Sequence, residues 1–358
     1  MVRLWLSLAL VLTLGSHSAM GQSSRVIVRL KSQSKDVEAT PLWEASDGVL
    51  MLGRDGRVFR ISRNQAKAGQ LTTTRFTPVS RSALRAQLER EFGSSYEVTA
   101  TSHYLVVHPR GNGTQWSQRF EELYRSFGHY FKIRGFDLVE PEFPLVAIVL
   151  PSKGEFERYA KVHGDKLPSG VLGYYSPMSN RVALFDASNG KSGKGWQESA
   201  TTIIHEATHQ TAFNTGIHKR LFASPHWIVE GLGTLFEAEG VWNARHNVRA
   251  TDRVNRDRLA QFKKYLSRRK DDAFVQLLAS DDLFRTDPDG AYAESWGWTY
   301  YLMETRPRKF AAYLKRLGAR GQFSQYSAAD RLRDFAAEFG ADFKYLDAQF
   351  LRHMNGVR

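Results

Sequence analysis

The alternation of apolar and polar positions divides the chain into a strand-rich beginning, a mixed middle and a helical end. Arg25-Val26-Ile27-Val28-Arg29-Leu30 has strand composition, and Gly48 to Ile61 reads as two strands around a tight Asp55-Gly56 turn. Residues 25–65 are expected to form a small β module. Residues 66–80 are polar, carry Thr72-Thr73-Thr74 and a proline, and suit a linker. Ser82 to Phe92 predicts a helix, and Tyr96 to Ala100 and His103 to His108 predict strands. Gln115 to Phe131 is amphipathic, with Trp116, Phe120, Leu123, Tyr124 and Phe127 at helical spacing, a stripe that belongs to a core. Leu145 to Leu150 is an unbroken apolar run, the pattern of a buried strand, and Lys153 to His163 predicts another helix. Gly173-Tyr174-Tyr175 and Arg181 to Phe185 flank a turn at Ser179-Asn180. Arg253 to Arg269, Ala291 to Leu317 and Asp330 to His353 are helical in pattern, with Asp287 to Gly290 reading as a turn. The expected class is α+β: over residues 81–358, a mixed sheet packs on one central helix and a mainly helical half closes the other side.

That central helix carries the candidate chemistry. His205-Glu206-Ala207-Thr208-His209 has the form H-E-x-x-H. On a helix, residues i and i+4 share a face, so both imidazoles can reach one ion. Glu206 stands beside the first ligand, close enough to take a proton from a water held by that ion. Ile203 and Ile204 precede the motif, and Glu206 is the only charged side chain apart from the histidines between Thr201 and Gln210. A catalytic zinc usually has three protein ligands. The extension H-E-x-x-H-x-x-G-x-x-H fails here, because Ala212 and Thr215 stand where Gly and His are required. A reversal through Asn214-Thr215-Gly216 and a second helix opened by Ser224 and Pro225 would instead return the Glu230 carboxylate to the metal. Thr234 and Glu237 follow Glu230 on the same helix face and are placed to accept an imidazole N–H.

HEATH followed by WIVEGLGTLFE resembles the gluzincin zinc peptidases, whose second helix carries W-x-x-E-G-x-x-x-x-x-E. HEATHQ, FNTG and YAESW are similar to an uncharacterised family of secreted bacterial proteins related to that clan. The resemblance spans roughly Leu145 to Leu314. It implies a zincin-like fold, His205, His209 and Glu230 as Zn2+ ligands, Glu206 as general base, and Glu237 as the second glutamate of the segment. In the gluzincin aminopeptidases a tyrosine in a Y-x-K-G-type segment donates to the oxyanion, which by resemblance points to Tyr292 in YAESW. Glu294-Ser295 replaces Lys-Gly there, and His226, Tyr300 and Tyr301 are the other donors considered. The strand before the metal helix in zincins pairs with substrate, a role that would fall to Arg181–Phe185. No G-x-M-E-N segment, which grips the substrate amine in aminopeptidases, occurs before His205; this favours cleavage within chains.

Composition narrows the setting. Arg3, the apolar run Leu4 to Leu14 and Ala19-Met20-Gly21 read as a secretory signal peptide over residues 1–21. The run is shorter than the roughly 20 residues that span a bilayer, so a secreted, periplasmic or cell-envelope protein without a transmembrane segment after cleavage is expected. The chain of 358 residues contains no Cys, which excludes disulfides, thiolate ligands and a cysteine nucleophile. Its net charge of +13 favours an acidic envelope surface or partner. Nucleic acid is not expected as a partner, because no nucleic-acid-binding motif accompanies the charge. The Gly-rich stretch 190–195 lacks the Lys-Ser/Thr ending of a phosphate-binding loop. The leading reading is a secreted zinc metallopeptidase of the internal-cleavage type, acting on peptide or protein substrates. A catalytically silent zinc-binding envelope protein and a zinc hydrolase of a non-peptide amide are the alternatives.

Overall fold

The computed structural model describes residues 26–30, 37–111, 113–167, 170–187, 194–243 and 249–358. The expected signal peptide, and residues 190–193 of the Gly-rich stretch, lie outside the described residues. Two five-stranded sheets and a mostly helical C-terminal half make up the α+β architecture.

The first sheet is antiparallel and contains β1 (Val26–Leu30), β2 (Val37–Ala45), β3 (Gly48–Gly53), β4 (Val58–Ile61) and β5 (Gln70–Arg75), in the order β4-β3-β2-β1-β5. A short helix, α1 (Arg63–Lys67), joins β4 to β5 behind a Ser62–Gln65 capping box. Strand β3 is buried throughout because it packs on both faces. Leu50 and Leu52 join Ile27, Val58 and Phe76 in a cluster with Phe143 and Leu221 of the main body, while Val49 and Met51 pack on the other face with Val28 and Ala39. The segment 66–80 is not a linker over its whole length. Its β-branched threonines add β5 to the sheet edge, and the Thr72 hydroxyl donates to the Ile27 carbonyl at 2.9 Å. Strand β2, broken in pattern by Pro41, has no clear sequence signal; it bulges between Pro41 and Trp43.

The second sheet holds β6 (Tyr96–Ala100), β7 (Tyr104–Pro109), β8 (Leu145–Leu150), β9 (Gly173–Ser176) and β10 (Arg181–Phe185), in the order β6-β7-β8-β10-β9. β7, β8 and β10 run parallel, and the two edge strands pair antiparallel. Period-2 alternation sends its side chains to two different cores. Leu105, Val107, Val146, Ile148 and Ala183 meet α2 (Arg81–Phe92) and α4 (Lys153–Val162). Val106, Ala147, Val149, Val182 and Leu184 meet α3 (Gly113–Lys132) and α5 (Lys194–Asn214), the helix that carries H-E-x-x-H. The expectation that Arg181–Phe185 offers its main chain to substrate is overturned. Apolar on both faces, β10 lies inside the sheet with β8 on one side and β9 on the other, so the edge beside the metal helix is β9.

Beyond α5 come α6 (His226–Phe236), α7 (Glu239–Trp242), α8 (Arg256–Tyr265), α9 (Ala273–Ala279), α10 (Asp282–Thr286), α11 (Pro288–Thr305), α12 (Pro307–Ala319), α13 (Ala328–Phe339) and α14 (Phe343–Gly356). Helix α11 is buried on all sides from Gly290 to Met303. The Asp287–Gly290 stretch is its first turn rather than a separate one: Asp287 is the N-cap, accepting from the Gly290 N–H at 3.1 Å, and Pro288 is the first helical residue. The pattern over Ala291–Leu317 is two helices, interrupted at Arg306 before Pro307. No helix among the described residues is long and apolar enough to cross a membrane.

Candidate metal centre

Helix α5 is fixed to the sheet before it presents any chemistry. Ile203 and Ala207 pack into the core, and the Gln210 side-chain amide donates to the carbonyls of Val146 (3.0 Å) and Asn180 (2.8 Å). Asn214 donates to the Asn180 side chain at 2.8 Å, so the Ser179-Asn180 turn, left-handed at Asn180 (φ 56°), is bound to the end of α5. Helix α6 begins one residue later than the sequence suggests. Pro225 is its N-cap and makes no side-chain cap, while the His226 N–H is met by the distant Asp281 carboxylate at 3.0 Å.

The reversal between α5 and α6 brings His205, His209 and Glu230 together. One donor atom from each lies within 4.8 Å of the others, and all three residues are buried. Nε2 of His205 is 3.3 Å and Nε2 of His209 is 3.8 Å from the same Glu230 oxygen. Tetrahedral ligands on bonds of about 2.0–2.1 Å stand roughly 3.3–3.4 Å apart, so a single ion fits between them with little adjustment. These converging atoms have no hydrogen-bond partner among the described residues, and neither does either oxygen of Glu206. Buried polar atoms are normally paired; a cluster left open at one point fits a cation there. Gly233 completes the cradle. A Cβ at that position would stand 2.7 Å from Cε1 of His205 and 3.0 Å from Cε1 of His209.

Glu237 orients the first imidazole. Its Oε1 is 2.8 Å from Nδ1 of His205, and its Oε2 accepts from the Asn255 amide at 2.9 Å and faces Arg258. With Nδ1–H donating to Glu237, the Nε2 lone pair is turned toward Glu230 and His209. Thr234 does not share this work: its hydroxyl donates to the Glu230 carbonyl at 2.7 Å and the Gly231 carbonyl at 3.1 Å, closing its own helix. Tyr292 projects from the second turn of α11. Burial and the nearby Glu230 carboxylate push its hydroxyl pKa well up, while its ring meets Phe284 edge-on and lies 5.2 Å from the Arg258 guanidinium. Trp296 stacks on Tyr300 instead. Glu294, in the same YAESW segment, is turned away to a buried network with Arg269 and the Trp298 indole.

The electrostatics favour positive charge at the centre. Burial opposes charge on His205, yet the carboxylates of Glu230 and Glu237 raise its pKa to about 10. Burial likewise opposes ionisation of Glu230, but His209 and His205 hold it down at about 2. Burial lowers His209 to about 4 and raises Glu206 to about 8, the latter opposed by His205 and helped by Glu230. His218 was not foreseen. It is buried, its Nε2 has no partner among the described residues, and burial and His209 lower its pKa to about 3. Nothing in the local sequence marks it, because it reaches this neighbourhood only through the reversal after α5.

Residues 199–323 match the family described as "Protein of unknown function (DUF1570)", a stretch that takes in most of α5 and all of α6 and α11. No curated protein matches the chain. Among solved structures, a mutant and the unmutated form of an M1 zinc metallopeptidase from Deinococcus radiodurans are both similar at TM-score 0.37 and 13% identity. These alignments cover 96% and 95% of this chain but only 61% and 60% of the others, so the chain spans about three fifths of their length. A score at that level does not establish a shared fold.

Proposed function

We propose that this chain is a secreted zinc-dependent peptidase of gluzincin type. The observation that carries the reading is Glu206: a buried carboxylate whose oxygens have no hydrogen-bond partner among the described residues, next to three donors that converge on one point. Two imidazoles, one carboxylate and an open fourth position make the donor set of a catalytic zinc site. A zinc ion there supplies a Lewis acid that polarises a carbonyl and makes water acidic near neutral pH. His205, His209 and Glu230 hold the ion, and Glu237 fixes the His205 tautomer. Glu206 accepts the proton of the attacking water and delivers it to the leaving amine. The Tyr292 hydroxyl, near the Glu230 carboxylate, donates to the oxyanion that develops on the carbonyl. An extended peptide adds to the outer edge of β9, which has no strand neighbour on that side among the described residues.

The test is zinc analysis of the purified protein with a broad peptide-library cleavage assay, on the native chain and on Glu206→Gln. One zinc per chain in both, with cleavage only in the native protein, is expected. Zinc retained without cleavage of any peptide favours the silent binding protein or the non-peptide amide. Undiminished zinc in His205→Ala and Glu230→Ala would sink the ligand assignment.

A further inference from the structure

Strand β9 runs beside the face of α5 that carries the chemistry. Thr202, Glu206, His209 and Phe213 follow one another at spacings of four, three and four, so they share one face of that helix. Strand β9 touches both ends of the stripe. A Cβ at Gly173 would stand 2.7 Å from the Thr202 side chain, and the Tyr175 ring stacks on Phe213 at 5.6 Å. Glu206 and His209, in the middle of the stripe, therefore lie alongside the short run from Gly173 to Tyr175.

The main-chain groups of β9 alternate in direction. The Leu172 and Ser176 carbonyls accept from the N–H groups of Phe185 (3.3 Å) and Asn180 (2.8 Å) on the β10 side, and Tyr174 lies opposite Ala183 in the same register. Antiparallel pairing then turns the N–H and carbonyl groups of Gly173 and Tyr175 to the outer edge. The next position in that alternation is Pro177, and it has nothing to offer a neighbour. Proline lacks an N–H, and the Pro177 carbonyl already accepts from the Arg220 guanidinium at 2.6 Å. One residue further, the Met178 carbonyl accepts from the Val58 N–H of β4 at 2.7 Å and from Arg220 at 3.1 Å. Arg220 also donates to the Gly56 carbonyl at 2.7 Å, so the β module and this guanidinium stand together across the end of the edge. Main-chain pairing along β9 ends about two residues, roughly 7 Å, beyond Tyr175.

We propose that Arg220 and the β module form a stop at this end of the substrate groove and restrict the enzyme to trimming. A peptide paired with Gly173 and Tyr175 is cut about two residues from one of its ends, and a chain that continues in both directions does not fit. The inference rests on the peptidase reading above and adds the substrate class: polypeptides with a terminus near the scissile bond, in place of internal cleavage. The experiment uses the full zinc-loaded chain in two readouts. Mass spectrometry follows the products of the native chain on long linear peptides and on the same sequences cyclised head to tail. Fluorescence anisotropy on Glu206→Gln compares a tripeptide labelled on a side chain with versions lengthened at the amino or the carboxyl end by a Gly-Ser-Ala segment. Stepwise loss from one terminus and intact cyclic peptides are expected. Lengthening at one end should weaken binding by about tenfold or more, and lengthening at the other should not. Arg220→Met in the Glu206→Gln chain, with zinc content and melting temperature confirming the fold, should relieve that penalty; a folded variant with the penalty unchanged overturns the proposal. Interior cuts in linear peptides, or cleavage of cyclic ones, overturn the stop and leave the peptidase reading. Equal affinity for lengthening at both ends does the same. One-sided binding without hydrolysis by the native chain removes the peptidase reading and leaves the stop, and no binding of any peptide removes both.

Discussion

Gly233 is a glycine because two imidazoles occupy the space a side chain would take, and a single atom there would displace both. The other side chains around the centre divide between those that touch the converging donors and those that hold them. Glu237 belongs to the second kind, with its two oxygens spent on His205 and on Asn255. Glu237→Ala should therefore keep the fold but weaken zinc binding by about 10–100-fold, read by competition with a chelator of known affinity. Tyr292 belongs to the first kind. Tyr292→Phe should leave zinc content and KM nearly unchanged and lower kcat by about 10²–10³. A fall in affinity with unchanged kcat would show that the hydroxyl only steadies Glu230. Of this layer, the H-E-x-x-H pair is readable from sequence because its geometry is set within one turn of helix. Glu237 is harder, since Thr234 shares its face and only the folded structure shows that the threonine hydroxyl is used by its own backbone. His218 and Asp281 act across the reversals of the chain, and no local pattern announces them.

Between elements, the closest approach is that of α6 and α11. A Cβ at Gly231 would lie 2.1 Å from the Thr299 hydroxyl and 2.7 Å from the Ser295 carbonyl. The two helices meet almost backbone to backbone, and this contact sets how far Glu230 reaches toward α5. Gly231→Ala should cost about 1–3 kcal/mol through overpacking, a fall of roughly 2–10 °C in melting temperature. Zinc affinity should fall with it, because α6 carries the third donor. Thr299→Ala in the same chain should recover part of both losses by calorimetry and chelator competition; no recovery would place the strain elsewhere. The strand order was not legible for a related reason. Periodicity identifies β9 and β10 as strands, but which of them joins β8 depends on β10 being apolar on both faces and on contacts distant in sequence. Strand β5 was hidden in the same way, since three threonines look like linker until a neighbour pairs with them.

At the scale of the whole molecule, the N-terminal sheet is locked to the body at the turn between β9 and β10. The Arg220 guanidinium donates to the carbonyls of Pro177 (2.6 Å), Met178 (3.1 Å) and Gly56 (2.7 Å), and the Val58 N–H donates to the Met178 carbonyl at 2.7 Å. Nearby, Arg181 holds Glu91 of α2 against β10. Burial raises the Glu91 pKa, but Arg181 outweighs it and the net shift is downward from 4.5. The resulting stabilisation is fully present above that unfolded value and is lost as pH falls through the lower folded one. Melting temperature should therefore drop in acid below about pH 4.5 more steeply in the native chain than in Glu91→Gln; parallel curves would count against the pair. The same docking surface has a consequence in time. The apolar face of the first sheet, with Leu50, Leu52 and Val58, is covered by Phe143 and Leu221, and Trp43 stacks at 4.9 Å on Phe323, 323 − 43 = 280 positions later. During synthesis this face emerges first and its cover arrives in pieces, Phe143 and Leu221 before Phe323, so its closure is a slow, non-local step. A chain halted before Phe323 would hold His205, His209 and Glu230 yet leave the Trp43 ring without its cover, and would be recognised by its aggregation rather than by any loss at the zinc ligands.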